Sequence, residues 1–258
     1  MIVRLSGGLC NQMFMYSFGR ALSMERHDPV KFVWARSTWD YGLGDFNTLI
    51  ELTNPPIHAP IYEEPGFAFD QGVYTSLKGS YFKGYWQSEK YFEKYSSEIR
   101  QELTLKCVLP ETEKQAEKLR NQNSVAVHIR RGDYINSGTK EFHGILPWEY
   151  YRDAKNYLRE KINNPKFFFF SDESEDWVKD NFYIDFSSGE EETVHTGNAS
   201  QDLYLMSQCR HGIMANSTFG WWSNWLGDYS ERIVVAPQKW FQADMDTKDL
   251  IPDRWIRL

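Results

Sequence analysis

Hydrophobic positions in this chain follow two periods, and the switches between them mark out its elements. Ile2-Val3-Arg4-Leu5 reads as a short strand. A Ser6-Gly7-Gly8 turn follows, then a helix from about Asn11 whose Phe14, Phe18 and Leu22 recur on one stripe. A second strand is expected over 30–34. The chain then becomes turn-rich and aromatic as far as Trp86, punctuated by Asn54-Pro55-Pro56 and Glu64-Pro65-Gly66, which predicts long loops. Ser88 is placed to cap a helix running to about Leu103. Thr112 with Gln115 fits a capping box opening another helix through Leu119.

After the polar run Asn121-Gln122-Asn123 the pattern turns regular, and that run is the expected domain break, dividing 1–121 from 122–258. A strand over 124–129 alternates with period 2, which sets Val125, Val127 and Ile129 on one face and Ala126, His128 and Arg130 on the other. A helix begins at Pro147, carries Tyr151, Ala154, Leu158 and Ile162 on one stripe, and stops before Pro165. Strands are expected at 167–170, 183–186, 212–215 and 233–236. Helices are expected up to Val178, near 202–208 and around 221–226. Such alternation predicts an α/β fold with a parallel, doubly wound sheet, in which ligands bind beyond the carboxyl ends of the strands. Three polar clusters fall at those ends: His128 to Asp133, Ser171-Asp172, and Asn216-Ser217-Thr218.

Composition narrows the function. At 258 residues and 41% hydrophobic, the chain can bury one large core or two modest ones. A net charge of -7 offers no electrostatic footprint for nucleic acid, so any anion must be held by local arginines against the overall field. The most apolar runs, 167–170 and 233–236, are too short to span a bilayer, and Arg4 leaves no room for a signal-peptide segment. A soluble, cytoplasmic protein is expected. Cys10, Cys107 and Cys209 show no paired spacing and are read as reduced thiols.

Arg130 and Arg131, at the exit of the strand, offer planar forks that suit the paired oxygens of a phosphate or diphosphate; the plainer reading is two surface charges. Asn216-Ser217-Thr218 precede a helix, where hydroxyls and free amides face either an anion or only the helix they cap. Asp202 lies at another helix start, and is either a capping group or a carboxylate able to accept from the adjacent N1–H and N2–H donors of guanine. Gly7-Gly8 with Asn11-Gln12 is only loosely a phosphate-cradling turn. Asp244-Met245-Asp246 has the Asp-x-Asp form of a cation site but is expected by chance in a chain of this composition. The aromatics Trp39, Tyr41, Tyr62, Phe67, Phe69, Tyr81, Tyr85 and Trp86 suit either sugar stacking or core and loop packing.

Six segments in order along the chain resemble glycosyltransferase family 11, the α-1,2-fucosyltransferases. They are Gly-Gly-Leu-Cys-Asn-Gln-Met-Phe at 7–14, Gly-Tyr-Trp-Gln-Ser-Glu-Lys-Tyr-Phe at 84–92, His-Ile-Arg-Arg-Gly-Asp-Tyr at 128–134, Phe-Ser-Asp at 170–172, Asp-Leu-Tyr-Leu-Met-Ser at 202–207 and Asn-Ser-Thr-Phe-Gly-Trp-Trp at 216–222. The resemblance implies a GT-B-like pair of Rossmann-like domains facing across a cleft, with 1–121 on the acceptor side and 122–258 binding GDP-fucose. It also implies an inverting transfer of L-fucose to the 2-hydroxyl of a β-galactoside, with no metal or cofactor. Arg130 would hold the β-phosphate, His128 and Asp202 would lie by the guanosine, and Ser217-Thr218 would contact the diphosphate. Arg131, Asp172, Asn216, Gly8 and Asn11 complete the expected donor contacts. Asp133 and His143, the latter in a His143-Gly144 pair, are the candidates beside Arg130 for a catalytic role, as base. Where the family usually has glycine and glutamine, this chain has Cys10 and Met15, and a Cβ at position 10 is expected to narrow or tilt the turn. Two other classes compete: a metal-dependent transferase using Asp244 and Asp246, and a non-catalytic glycan-binding protein.

Overall fold

The computed structural model describes residues 1–35, 39–135, 137–182 and 189–258, and the side chains at 133, 135, 137, 139 and 140 lie outside that description. The chain forms two compact units, Met1–Cys107 with Met245–Pro252, and Val108–Asp244 with Asp253–Leu258.

In the first unit β1 (Ile2–Leu5) leads through the glycine turn into α1 (Leu9–Arg26), and β2 (Lys31–Trp34) returns beside β1. The expected loop region contains two further strands, β3 (Ile61–Glu63) and β4 (Tyr81–Lys83), which complete a parallel four-stranded sheet in the order β2-β1-β4-β3. Cys10 is already inside α1 and buried. Met15 takes up a local role, with Sδ accepting from the Ser6 amide at 3.3 Å. The Phe14, Phe18 and Leu22 stripe is buried as its spacing requires, and Phe18 stacks on Trp86 at 4.0 Å between ring centroids. Ser88 caps a 3-10 turn (Glu89–Tyr91), and the α-helix begins only at α2 (Ser96–Glu102). Residues 245–252 join this unit because Asp249 is built into it: its carboxylate accepts from the Phe69 amide at 2.9 Å and pairs with Lys90 at 2.5 Å.

The second unit opens with α3 (Pro110–Arg120), which starts at a proline in the first turn rather than at a Thr112 cap. Its Ala116 and Leu119 pack under β5 (Ser124–Ile129) and against Leu205 and Met206 of α7 (Ala199–Gln208). That burial binds α3 to the second unit, so the break falls between Cys107 and Val108 instead of after residue 121. The remaining elements are α4 (Ser137–His143), α5 (Trp148–Lys161), β6 (Lys166–Ser171), α6 (Glu175–Phe182), β7 (Glu191–Thr193), β8 (His211–Ile213), α8 (Thr218–Leu226), β9 (Val234–Ala236) and β10 (Ile256–Arg257). The strand expected at 183–186 lies outside the described residues, and α4 is a further helix ahead of the one expected from Pro147. All six strands pair in parallel in the order β10-β9-β8-β5-β6-β7.

The β5 alternation holds residue by residue. Val125, Val127 and Ile129 pack with Tyr151, Ala154 and Leu158 of α5 on one face, and Ala126 packs with α3 and α7 on the other. Helices on both faces are what a parallel sheet needs, since neither face can be left to water.

Among the described residues of this unit a buried charge pair joins two elements. Lys155 of α5 and Glu191 of β7 bond to each other, with the ammonium also 5.4 Å from the centre of the Phe169 ring and Arg159 3.7 Å from the same carboxylate. Removing one partner leaves the other charged in an apolar layer, and we expect Lys155→Met to lower the unfolding free energy by about 3 kcal/mol in urea titration. Lys155→Met combined with Glu191→Leu should recover most of that loss.

Candidate functional site

The exit of β5 is organised by a carboxylate from the exit of β6. Asp172 pairs with Arg130 Nη1 at 3.0 Å and accepts from the Arg131 amide at 3.1 Å. Gly132 permits this approach, because a Cβ there would stand 2.3 Å from Asp172 Oδ2. An aspartate facing a phosphate directly would repel it. The geometry instead makes Asp172 the group that orients the Arg130 fork, engaging one edge of a five-donor guanidinium. Arg131 turns the other way: its guanidinium lies 4.2 Å from the centre of the Trp177 ring and pairs with Glu173 at 3.3 Å. The two arginines are therefore not equivalent, as the alternation along β5 implied.

Tyr134, a residue to which the sequence attached no role, ties three expected positions together. The Arg130 guanidinium sits 5.4 Å from the centre of its ring, and His143 stacks on that ring at 4.5 Å. Its hydroxyl donates to the Asn216 carbonyl at 3.2 Å. The Asn216 side chain in turn donates to the carbonyls of His143 at 2.7 Å and Trp240 at 3.1 Å, so its amide nitrogen holds the 143–144 and 240 segments in place. Only the motif His-Ile-Arg-Arg-Gly-Asp-Tyr could have pointed to Tyr134. Asp133 is a neighbour in sequence whose side chain lies outside the described residues.

At the start of α8, Ser217 is the N-cap, its hydroxyl accepting from the Phe219 amide at 3.3 Å, with Thr218 the first helical residue. The helix presses directly on His128. A Cβ at Gly220 would lie 2.7 Å from His128 Nδ1, and Phe219 lies 5.5 Å from the imidazole, centre to centre. His128 is 5% exposed, and burial, assisted by the Arg130 charge, lowers its pKa to about 3. It is a neutral imidazole at physiological pH and adds no positive charge for a phosphate.

Asp202 is engaged elsewhere in the same unit. Its Oδ1 accepts from the Thr196 amide at 2.8 Å and the Thr196 hydroxyl at 2.7 Å, and its Oδ2 lies 3.2 Å from His195 Nδ1. The cap of α7 is Asn198, not Asp202. A guanine reading both oxygens would have to compete with the turn that Asp202 holds. In the first unit Gly8 is the N-cap of α1, and Asn11, in its first turn, accepts from Gln87 Nε2 at 3.0 Å. Asp246 pairs with its neighbour Lys248 at 3.2 Å, and among the described residues no three His, Cys, Asp or Glu side chains are grouped to hold a metal ion. No helix among the described residues is long and apolar enough to cross a membrane.

The profile of glycosyl transferase family 11 matches residues 63–258. An α-1,2-colitosyltransferase of Escherichia coli is 33% identical over all of this chain and 98% of its own length. A galactoside α-(1,2)-fucosyltransferase 2 of Gorilla gorilla gorilla is 32% identical over 59% of this chain, an alignment that covers 47% of that relative. Among solved structures, a variant of Arabidopsis thaliana FUT1 in complex with GDP superposes with a TM-score of 0.53 at 12% identity, covering 94% of this chain and 72% of that one. The chain belongs to glycosyl transferase family 11 and is a glycosyltransferase with an α/β, GT-B-like fold.

The neutral state of His128 carries a pH signature. An unfolded imidazole, with a pKa near 6.5, takes up a proton that the folded one refuses until about pH 3. The contribution is complete above pH 6.5 and declines as pH falls towards 3. Urea titrations between pH 4 and 8 should show a shallower acid-side loss in His128→Gln than in the wild type.

Proposed function

We propose that this glycosyltransferase moves L-fucose from GDP-fucose to the 2-hydroxyl of a terminal β-galactoside, with inversion and without a metal ion. The observation that carries the reading is Arg130, oriented by Asp172 at the carboxyl end of a central parallel strand in a chain of this family. As the bond to fucose breaks, negative charge grows on the β-phosphate. A preorganised guanidinium at that oxygen lowers the barrier without a metal ion, because its charge and N–H donors need no reorganisation during the step. The first-turn amides of α8, beside the Ser217 cap, are proposed as further donors to a diphosphate. Guanine is the proposed base of the donor, read in part by Asp202 if the Thr196 turn yields to it. His143, stacked on Tyr134, and Asp133 are the groups proposed to take the proton of the attacking hydroxyl.

The full-length likeness to a colitosyltransferase favours a second reading at the donor sugar. Colitose is L-fucose without its 3-hydroxyl, so the same diphosphate chemistry serves both, and only contacts to that hydroxyl separate them. Incubation with GDP-fucose, GDP-colitose, GDP-mannose and UDP-galactose, each with lactose and with EDTA, followed by mass spectrometry, tests the proposal. Fucosyl-lactose formed in EDTA supports it. Colitosyl-lactose alone would move the donor, and product only on restoring manganese would replace the mechanism.

With the productive donor, Arg130→Ala should lower kcat and kcat/KM together by about 10² to 10³, the effect of losing a donor that acts mainly on the transition state. Arg130→Lys should restore little, since a point charge does not reproduce the fork. Arg131→Ala, anchored on Trp177 and Glu173, should cost much less in the same assay.

A further inference from the structure

Tyr134 lies in the short 3-10 turn Gly132–Ile135 that leaves β5, and it is only 8% exposed. For a buried tyrosine the plain account is packing, which phenylalanine would serve as well. Two of its contacts ask for more than a filled volume. The hydroxyl donates to the carbonyl of Asn216, the residue immediately before the Ser217 cap of α8. The Asn216 amide nitrogen already reaches the carbonyls of His143, Gly144 and Trp240, so this residue is held at its side chain and at its backbone, and the entry into α8 is held with it.

The ring has a second use. The Arg130 guanidinium lies over it, 5.4 Å from its centre, a distance at which the negative face of an aromatic ring attracts a cation. Asp172 holds one nitrogen of that fork, at 3.0 Å, from the exit of β6. The ion pair and the ring thus act on the guanidinium from different elements, and attraction from two of them restricts its tilt more than either alone. On the same ring His143 stacks with 18° between the planes, and it meets Phe241 at 5.3 Å between centres. All these residues belong to the second unit.

The geometry points to Tyr134 as a positioning residue of the transfer, whose ring aims Arg130 and whose hydroxyl holds the start of α8. The inference rests on the proposed fucosyl transfer and deepens it by separating two effects within one side chain. Arg130 acts on charge that grows as the bond to the sugar breaks, so loosening its aim weakens the transition state more than the bound donor and lowers kcat. The first-turn amides of α8 would meet the diphosphate in the bound donor and in the transition state alike. Loosening them therefore weakens nucleotide binding and leaves kcat nearly unchanged. A side chain that only fills space has no such division, and its loss lowers stability without separating the two constants.

Kinetics and binding test the division, with the stability of each variant read by urea titration. Tyr134→Phe and Tyr134→Leu are made in the wild type and in Arg130→Ala; kcat and KM are measured with lactose and the productive donor, and Kd for GDP by calorimetry. Tyr134→Phe, which keeps the ring, should raise the GDP Kd about fivefold and leave kcat within about twofold. Tyr134→Leu should raise Kd similarly and also lower kcat about tenfold, a loss that disappears in the Arg130→Ala background. Unchanged kcat in Tyr134→Leu, an equal loss of kcat in both backgrounds, or an unchanged GDP Kd in Tyr134→Phe overturns the assignment. If Tyr134→Leu does not fold, Tyr134→Phe still decides it through the split between Kd and kcat. A panel that yields no product from any donor would overturn the transfer reaction instead; the role of Tyr134 is then read from GDP alone, upheld by the fivefold weakening in Tyr134→Phe and overturned by its absence.

Discussion

One carboxylate, Asp172, sets the direction of the Arg130 guanidinium. By accepting from the Arg130 guanidinium and the Arg131 amide it fixes where β5 turns and where its charge points. The approach works only because residue 132 has no Cβ. Tyr134 then receives Arg130 over its ring, stacks on His143 and bonds to the carbonyl of Asn216, so the exit of β5, the end of α4 and the start of α8 are joined in one connected set. In a protein with a net charge of -7, a site proposed to hold an anion must be local and preorganised, since the long-range field opposes it.

The electrostatics around that set are sparing. His128 is neutral under α8 and Arg131 is committed to Trp177 and Glu173. In the proposed transfer the oriented Arg130 guanidinium meets the additional negative charge that grows on the β-phosphate in the transition state.

Much of this was legible from residue order. The period-2 run of β5 announced both its faces, and the buried stripes of α1 and α5 announced theirs, because six or more residues suffice to display a period. The strands at 61–63, 81–83, 191–193 and 256–257 escaped, since two or three residues cannot show alternation and are held by their neighbours in the sheet rather than by propensity. The domain break was misplaced for a related reason: Asn121-Gln122-Asn123 is a turn by composition, but whether α3 belongs before or after it is decided by burial against α7. At the site, sequence pointed to Arg130 and to the cap at Ser217, whereas the binding of Asp202 by Thr196, the use of Asn216 as a brace and the central position of Tyr134 depend on contacts between segments far apart in the chain.

The central claim is that Asp172 acts through Arg130. A double-mutant cycle measures it directly, with kcat/KM for the productive donor determined in the wild type, Asp172→Asn, Arg130→Ala and the double variant. Asp172→Asn should lower kcat/KM by about tenfold when Arg130 is present and change it little when Arg130 is absent. An equal loss in both backgrounds, or none in the wild-type background, would contradict the account.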